Sequence, residues 1–567
     1  MAKRSSGFWL ATASLLAGIA VACGGAAAPT ATPTARPAPT ASGAPAAPAA
    51  TATPVPVATR APAPTAAPPP TATPVTAARR GAPSGKLTVA VATLQEQMPD
   101  PHRFTGGLLS PMMYAIADGW TRYDQDRNLV GAVASSWKNS PDGMRWDFEL
   151  KKGVKFHNGQ TLTAEDIVYS YNRWKRLAPS IGVFGQAVDH IEATGAGFAV
   201  IMKKPYPLVA PAGIGAGFVV PKAYAEQAGD EGMRLKPVAA GPFKFLENRI
   251  GEYARYEGFA DHYERVPYIK TLELRVVPEG TTRIAMLRTG EADMVEGVTG
   301  ARVREVKNIP GLKIISSAKT AMFWVQFMDM YFPEDSPVKN IKVREALNIS
   351  IDRQQIVDRI YFGEATVAPT GFFDFGFGGD PSLKPYPYDP ERAKRLLAEA
   401  GFPNGLTIDL GVTESSSTPL SPEAVQATAA FWDKIGVRTR IQQTESGQYY
   451  TRWREHVMRG LAAQSVPLID DQGSMGLTFF KSGQPYTYFS DKKTDSLVDQ
   501  AMSEIDPVKR AAQIKELINY TYNNFYVIPL IHPNTLYGAG PRVKEWKGIA
   551  GNPYAFGFEY LKLTEHP

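Results

Sequence analysis

The groups in this chain able to ligate metals or move protons are few and scattered. Its seven histidines, His102, His157, His190, His262, His456, His532 and His566, include no pair at the spacing that lets one helix offer two ligands to an ion. Cys23 is the only cysteine, so disulfides, thiolate-bound metals and a catalytic thiol are not expected. No G-x-S-x-G nucleophile elbow or P-loop occurs, and Gly213-Ile214-Gly215-Ala216-Gly217 lacks the dinucleotide spacing and reads as a loop. Asp470-Asp471 is a carboxylate pair, and adjacent carboxylates most often mark a solvated loop. The residues therefore assign no catalytic group, no metal ligand and no cofactor, and favour binding over chemistry.

Cys23 has a different use. Lys3 and Arg4 precede a mostly apolar run, Phe8 to Val21, which is shorter than the ~20 residues needed to span a bilayer. The run ends at Ala20-Val21-Ala22-Cys23, similar to a bacterial lipobox with Ala20 where Leu is common. Residues 1–22 are thus expected to be a signal peptide and Cys23 a lipidation site. Residues 23–85 follow as a tether: Ala26 to Pro83 is almost wholly Ala, Pro and Thr, a composition predicted to stay disordered and extended. Six of the 61 Lys and Arg residues lie before Lys86, and the remaining 55 balance 55 Asp and Glu. The globular part carries no net charge, which argues against a nucleic-acid partner.

The elements that must position any site begin at Lys86–Val91, a β-branched apolar strand. Met144 to Leu150 alternates as a half-buried strand, with Pro141-Asp142-Gly143 as the turn before it. Thr163 caps a helix, with Asp166 three residues on and Ile167, Val168, Tyr171 and Trp174 on its inner stripe. Val343, Ala346 and Leu347 share a helix face, and Asp352 starts the next helix. Asp389 to Gly401 carries an N-cap, Pro at N1, an apolar stripe and a terminating glycine. Helices are expected at Pro422–Lys434 and Pro507–Asn523, and strands at Leu406–Val412 and Val437–Gln442. The class is mixed α/β.

Several of these blocks are not generic. Ala134-Ser135-Ser136-Trp137, Ser140-Pro141-Asp142-Gly143, Trp146-Asp147-Phe148 and Lys155-Phe156-His157-Asn158-Gly159 run into Thr163-Ala164-Glu165-Asp166-Ile167. Pro237–Phe243, Leu287–Asp293, Val343–Asn348 with Ile351-Asp352-Arg353, and Tyr388–Gly401 follow in order. The set resembles the extracellular solute-binding protein family 5, the oligopeptide-, dipeptide- and nickel-binding proteins of ABC importers, over essentially Lys86 to Pro567. The resemblance implies a periplasmic-binding-protein type II-like fold (cluster C). Lobe I would span 86–320 with an inserted subdomain at about 130–235, lobe II 321–526, and the return to lobe I 527–567. Crossings are expected near Ala318–Val325 and Val527–His532. His157, Asp166, Arg344 and Asp352 are expected to serve the fold rather than the ligand.

The resemblance also implies a function: capture of a peptide or similar solute between closing lobes, with permease subunits as partners. The protein would act as a monomer held by its lipid on the outer face of the membrane. In peptide-binding relatives, a carboxylate in a Trp-x-x-Asp-like stretch holds the ligand's amino terminus. Here the equivalent stretch is Leu461–Asp470, where the tryptophan is missing and no acid directly follows Gln464. Gln464 and Ser465 are therefore candidates, with Asp470 or Asp471 as shifted replacements. Trp324, Gln326 and Phe327 beside the first crossing, Phe184, and His102 with Arg103 complete the candidate set. Alternatives of the same fold are oligosaccharide or another polar solute; alternatives of another class are a lipoprotein hydrolase and a sensor that signals to a receptor.

Overall fold

The computed structural model describes residues 81–94, 99–103, 111–178, 181–415, 417–547 and 557–566, which fall in one compact unit. The expected signal peptide, Cys23 and nearly all of the expected tether lie outside the described residues.

The first strand, Ser84–Val91, is buried over its last five residues and pairs in parallel with Ile269–Val276 and Met294–Glu296. These strands centre a seven-stranded sheet that continues through Tyr253–Gly258 to Phe243–Arg249 on one side. On the other side it runs through Thr535–Ala539 to Lys313–Ser317. A four-stranded sheet, Ala134–Asn139, Arg145–Leu150, Gly197–Met202 and Val188–Ala193, forms the inserted subdomain with its own aromatic core. The alternation read in the sequence is visible there: Trp146 and Phe148 point inward, and Gly143 takes φ 68° in the preceding turn. Helix Ala164–Leu177 starts at a capping box in which the Thr163 amide and hydroxyl both donate to Asp166 Oδ2, at 2.9 and 2.8 Å. Asp166 Oδ1 also accepts from the Lys222 amide at 2.8 Å, so this carboxylate ties two helices together.

The second lobe is a six-stranded sheet in the order Ala365–Val367, Val527–Pro533, Ala321–Phe327, Leu461–Pro467, Leu406–Val412, Val437–Gln443. Its central strands are buried on both faces because helices cover both. One face packs on helices Ile341–Ile349, Arg353–Arg359, Pro390–Glu399 and Ser421–Asp433. The other packs on Ser446–Arg454, Gln472–Phe479, Lys492–Ser503 and Pro507–Asn523. Cap residues act as the sequence predicts: Asp352 accepts from the Gln355 amide at 3.0 Å and Asp389 from Arg392 at 2.8 Å. Gly401 follows at φ 94°.

Two passages join the sheets. The chain leaves the first at Ser317 and enters the second at Ala321; it leaves the second at Pro533 and re-enters the first at Thr535. The return therefore lies at Asn534 and not at Val527–His532, because Val527–Pro533 is a fully buried strand of the second sheet, paired with Ala321–Phe327 and Ala365–Val367. The passages run side by side. The Lys319 amide donates to Asn534 Oδ1 at 3.2 Å and the Thr320 amide to the Pro533 carbonyl at 3.0 Å. Lys319 holds φ 54° at the crossing.

Candidate ligand-binding site

A cleft between two lobes needs groups on both rims that face one another. The first-lobe rim is the turn Asp124–Asn128, tied by Asp124 Oδ1, which accepts from the amides of Asp126 and Asn128 at 2.9 and 2.8 Å. That turn places Arg127 at φ 67°, a left-handed conformation that costs a non-glycine residue energy. Its guanidinium crosses to the second lobe, pairs with the Asp470 carboxylate, and lies 5.3 Å from the Phe375 ring centroid and 5.9 Å from that of Tyr123. Phe375 is approached from the hinge as well: Lys319 Nζ lies 5.4 Å from its centroid and donates to both oxygens of Asp374 at 2.8 and 2.7 Å. The second-lobe rim thus consists of Asp374–Phe377 laid beside Ile469–Gln472. Phe377 donates to the Asp470 carbonyl at 2.7 Å and the Gln472 amide to the Phe377 carbonyl at 3.0 Å. The Gln472 side chain fixes this pairing by accepting from Phe373 at 2.9 Å and donating to Ile469 O at 2.9 Å.

Nearer the hinge the lobes enclose a pocket of about 290 Å³, part of it open to solvent. Val298, Thr299 and Gly300 line one side, Tyr361, Glu364 and Leu420 the other, and Asn534 belongs to the return passage. Lys307 reaches across to Glu364 at 3.0 Å. Among the described residues there is no cluster of three metal-ligating side chains.

The candidates named from sequence divide into two groups. His102, Arg103 and Phe184 contact groups of the first lobe. His102 is fully buried, with Nε2 2.9 Å from the Phe218 carbonyl and Nδ1 3.1 Å from Arg173, which forms a two-pronged pair with Asp100 at 2.8 and 2.7 Å. Burial pushes the His102 pKa down to about 4, with Arg173 adding to the shift. Arg103 is half exposed beside Asp100 at 3.7 Å. Phe184 packs among Trp120, Tyr171, Trp174 and Tyr206 in the subdomain core.

The remaining candidates sit together in the second lobe. Trp324 and Gln464 are directly opposed on neighbouring strands. Gln326 is satisfied by the Tyr486 carbonyl at 2.9 Å and the Trp453 indole at 3.0 Å. Phe327 joins the helix-packed face around Val343. Ser465 shares hydrogen bonds with Ser417 and Thr418 at 2.9 and 2.7 Å. Asp471 caps helix Gln472–Phe479 and pairs with Arg510 at 2.5 and 2.7 Å, whereas Asp470 alone reaches the first lobe. Sequence reasoning passed over Arg127, Phe375 and Lys319. The available signal was a bulky residue in a turn, Asp124-Gln125-Asp126-Arg127-Asn128, whose geometry favours glycine or asparagine.

The family model of the bacterial extracellular solute-binding proteins, family 5 Middle, matches residues 128–485. Heme-binding protein A of Haemophilus influenzae is 27% identical over 468 residues, covering 76% of this chain and 84% of that protein. The dipeptide-binding protein of Escherichia coli is 26% identical over 462 residues, covering 75% and 84%. Among solved structures, DppA from Helicobacter pylori in complex with peptide STSA superposes with a TM-score of 0.68 at 23% identity, covering 85% of this chain and 98% of that one. NikA from Brucella suis in complex with Fe(III)-EDTA gives 0.74 at 19% identity, covering 85% and 100%. These likenesses identify the fold as the two-lobed periplasmic-binding-protein type, with the extra subdomain in the first lobe.

Proposed function

Because the chain belongs to the bacterial extracellular solute-binding proteins of family 5, we propose that it captures a peptide or a similar small solute between its lobes and presents the closed form to the permease subunits of an ABC importer. The observation that carries this reading is the Arg127–Asp470 pair, a charged contact between the first lobe's turn and the second lobe's rim. Such a contact exists only when the lobes are shut. Two adjacent passages, Ala318–Thr320 and Asn534, are the only connections between the seven-stranded and six-stranded sheets among the described residues, an arrangement suited to hinge bending. A ligand that touches both rims stabilises the closed form by its difference in affinity for the two states. Membership of a family of solute-binding proteins favours capture over catalysis.

Native mass spectrometry of freshly purified protein, followed by small-angle scattering before and after ligand removal, tests the reading. A retained solute whose removal expands the particle is expected. A scattering profile unchanged by removal or by re-addition of the solute would refute capture by closure.

Anchoring by a diacylglycerol on Cys23, with residues 23–85 as the tether, belongs to the same proposal and rests on the sequence of that segment. Cys23→Ala is expected to move the protein from the detergent phase to the aqueous phase on Triton X-114 partitioning. Retention in the detergent phase would exclude the thiol as the anchor.

A further inference from the structure

Two buried amides of this lobe have all their polar atoms partnered. Gln326 has partners for both its nitrogen and its oxygen, and Gln472 bonds three backbone groups. Gln464 differs. It is completely buried, and neither its Nε2 nor its Oε1 has a hydrogen-bond partner among the described residues. Directly across the strand pair, Trp324 is also fully buried with its indole N–H unpartnered. On the neighbouring strand His532 is fully buried with Nε2 unpartnered.

These three groups share one face of the second-lobe sheet. Met322 and Trp324 on one strand, and Ala462 and Val466 on the next, belong to the cluster on that face, so the two-residue period sends Gln464 the same way. The His532 ring stacks on Phe373 of that cluster at 5.2 Å. Phe373 in turn meets Phe375 at 5.4 Å, the ring that Arg127 covers from the first lobe. The unpartnered set therefore lies one aromatic layer from the cleft rim. A buried polar atom left unpaired is destabilising, and three on one face, next to amides that are fully paired, call for an occupant.

The chemistry of the set specifies that occupant. Trp324 donates only, and Gln464 both donates and accepts. His532 Nδ1 lies 3.2 Å from the Ala321 carbonyl and so carries the proton, which leaves Nε2 as an acceptor. Burial pushes the His532 pKa down to about 4, so the ring is neutral at physiological pH. None of the three presents a charge. We infer that this face is a subsite for an uncharged hydrogen-bonding group of the solute, a hydroxyl or a carboxamide, held by Gln464, Trp324 and His532. The inference rests on the capture reading above and adds the chemical class of the group that the second lobe recognises.

The test uses the full-length protein and three probes: cellobiose and N-acetyl-dialanine amide, which are uncharged, and zwitterionic dialanine. Calorimetry measures binding and thermal unfolding measures ligand-free stability, for the wild type, Gln464→Leu and Trp324→Phe. The second variant keeps the ring and deletes the N–H. The expected result is binding of at least one uncharged probe, weakened tenfold or more in either variant, with the ligand-free melting temperature of Gln464→Leu unchanged or raised. A lowered melting temperature in both variants would assign the groups to the fold and overturn the subsite. Binding of dialanine alone, undiminished in the variants, overturns the subsite and leaves capture by closure standing. If no probe binds, the assigned ligand class is overturned. A ligand-independent, rigid scattering profile overturns the capture reading itself.

Discussion

Replacing Arg127 with glycine separates two effects that usually travel together. Arg127 occupies φ 67°, where a side chain is disfavoured by about 1 kcal/mol relative to glycine. Arg127→Gly is therefore expected to leave the first lobe as stable as before or slightly more so. The same change removes the pair with Asp470 and the packing on Phe375. The pair is partly sheltered, with side-chain exposures of 15% and 24%, so it belongs at the upper end for accessible ion pairs, about 1 kcal/mol. A cation over an aromatic face adds about 0.5–1 kcal/mol. Together these contribute about 1.5–2 kcal/mol to the closed form alone, which corresponds to about a 10- to 30-fold fall in the closed-to-open ratio. Single-molecule energy transfer between dyes on the two lobes reads that ratio directly, and a thermal melt reads lobe stability. Ligand affinity should fall by the same factor when the open form dominates. An unchanged closed population in Arg127→Gly, with the lobes still folded, would show that the pair does not govern closure.

Arg173→Ala should be among the most damaging single changes, because it strands Asp100, whose side chain has no exposed surface. Breaking a buried pair on one side costs about 3–5 kcal/mol, and urea unfolding should show a loss of that size; a shift under about 1 kcal/mol would contradict the burial argument. Stability should also fall on acidification from pH 6.5 towards 4.5. Burial lowers the pKa values of His102, His157 and His532 to about 4, so the unfolded chain takes up protons at these sites before the native protein does. Glu296 works in the opposite sense, since burial raises its pKa to about 7 and it gains its proton in the native state first. A net of at least one proton remains, a slope of about 1.4 kcal/mol per pH unit. Urea midpoints that stay flat across that window would refute the histidine assignment.

Relatives bind cargoes as different as heme and a dipeptide on one architecture. Gln464 lies in the stretch Leu461–Asp470, where the tryptophan expected of peptide-binding relatives is missing, and it sits opposite Trp324.

Much of the fold was legible in the chain because it is encoded within a few residues. Thr163 with Asp166, and Asp389 with Pro390 and Gly401, fix helix ends through contacts three or four positions apart. The alternation around Trp146 and Phe148 fixes a strand's inner face. His157 and Arg344, read as serving the fold, bond backbone carbonyls at Gly241 and at Val338, Lys339 and Asn524. The return passage was misjudged for a physical reason: an apolar run such as Val527–Pro533 reads equally well as a crossing or as a central strand, and only its pairing with two neighbours decides. The site was least legible of all. Arg127 and Asp470 lie 343 positions apart, and no local pattern marks a pair that forms only when two lobes meet. Likewise, Gln326, Gln464 and Gln472 carry the same amide side chain, and nothing in the sequence around them tells them apart. Whether each finds a partner depends on where loops and rings from distant segments come to rest, and that is settled by tertiary packing alone.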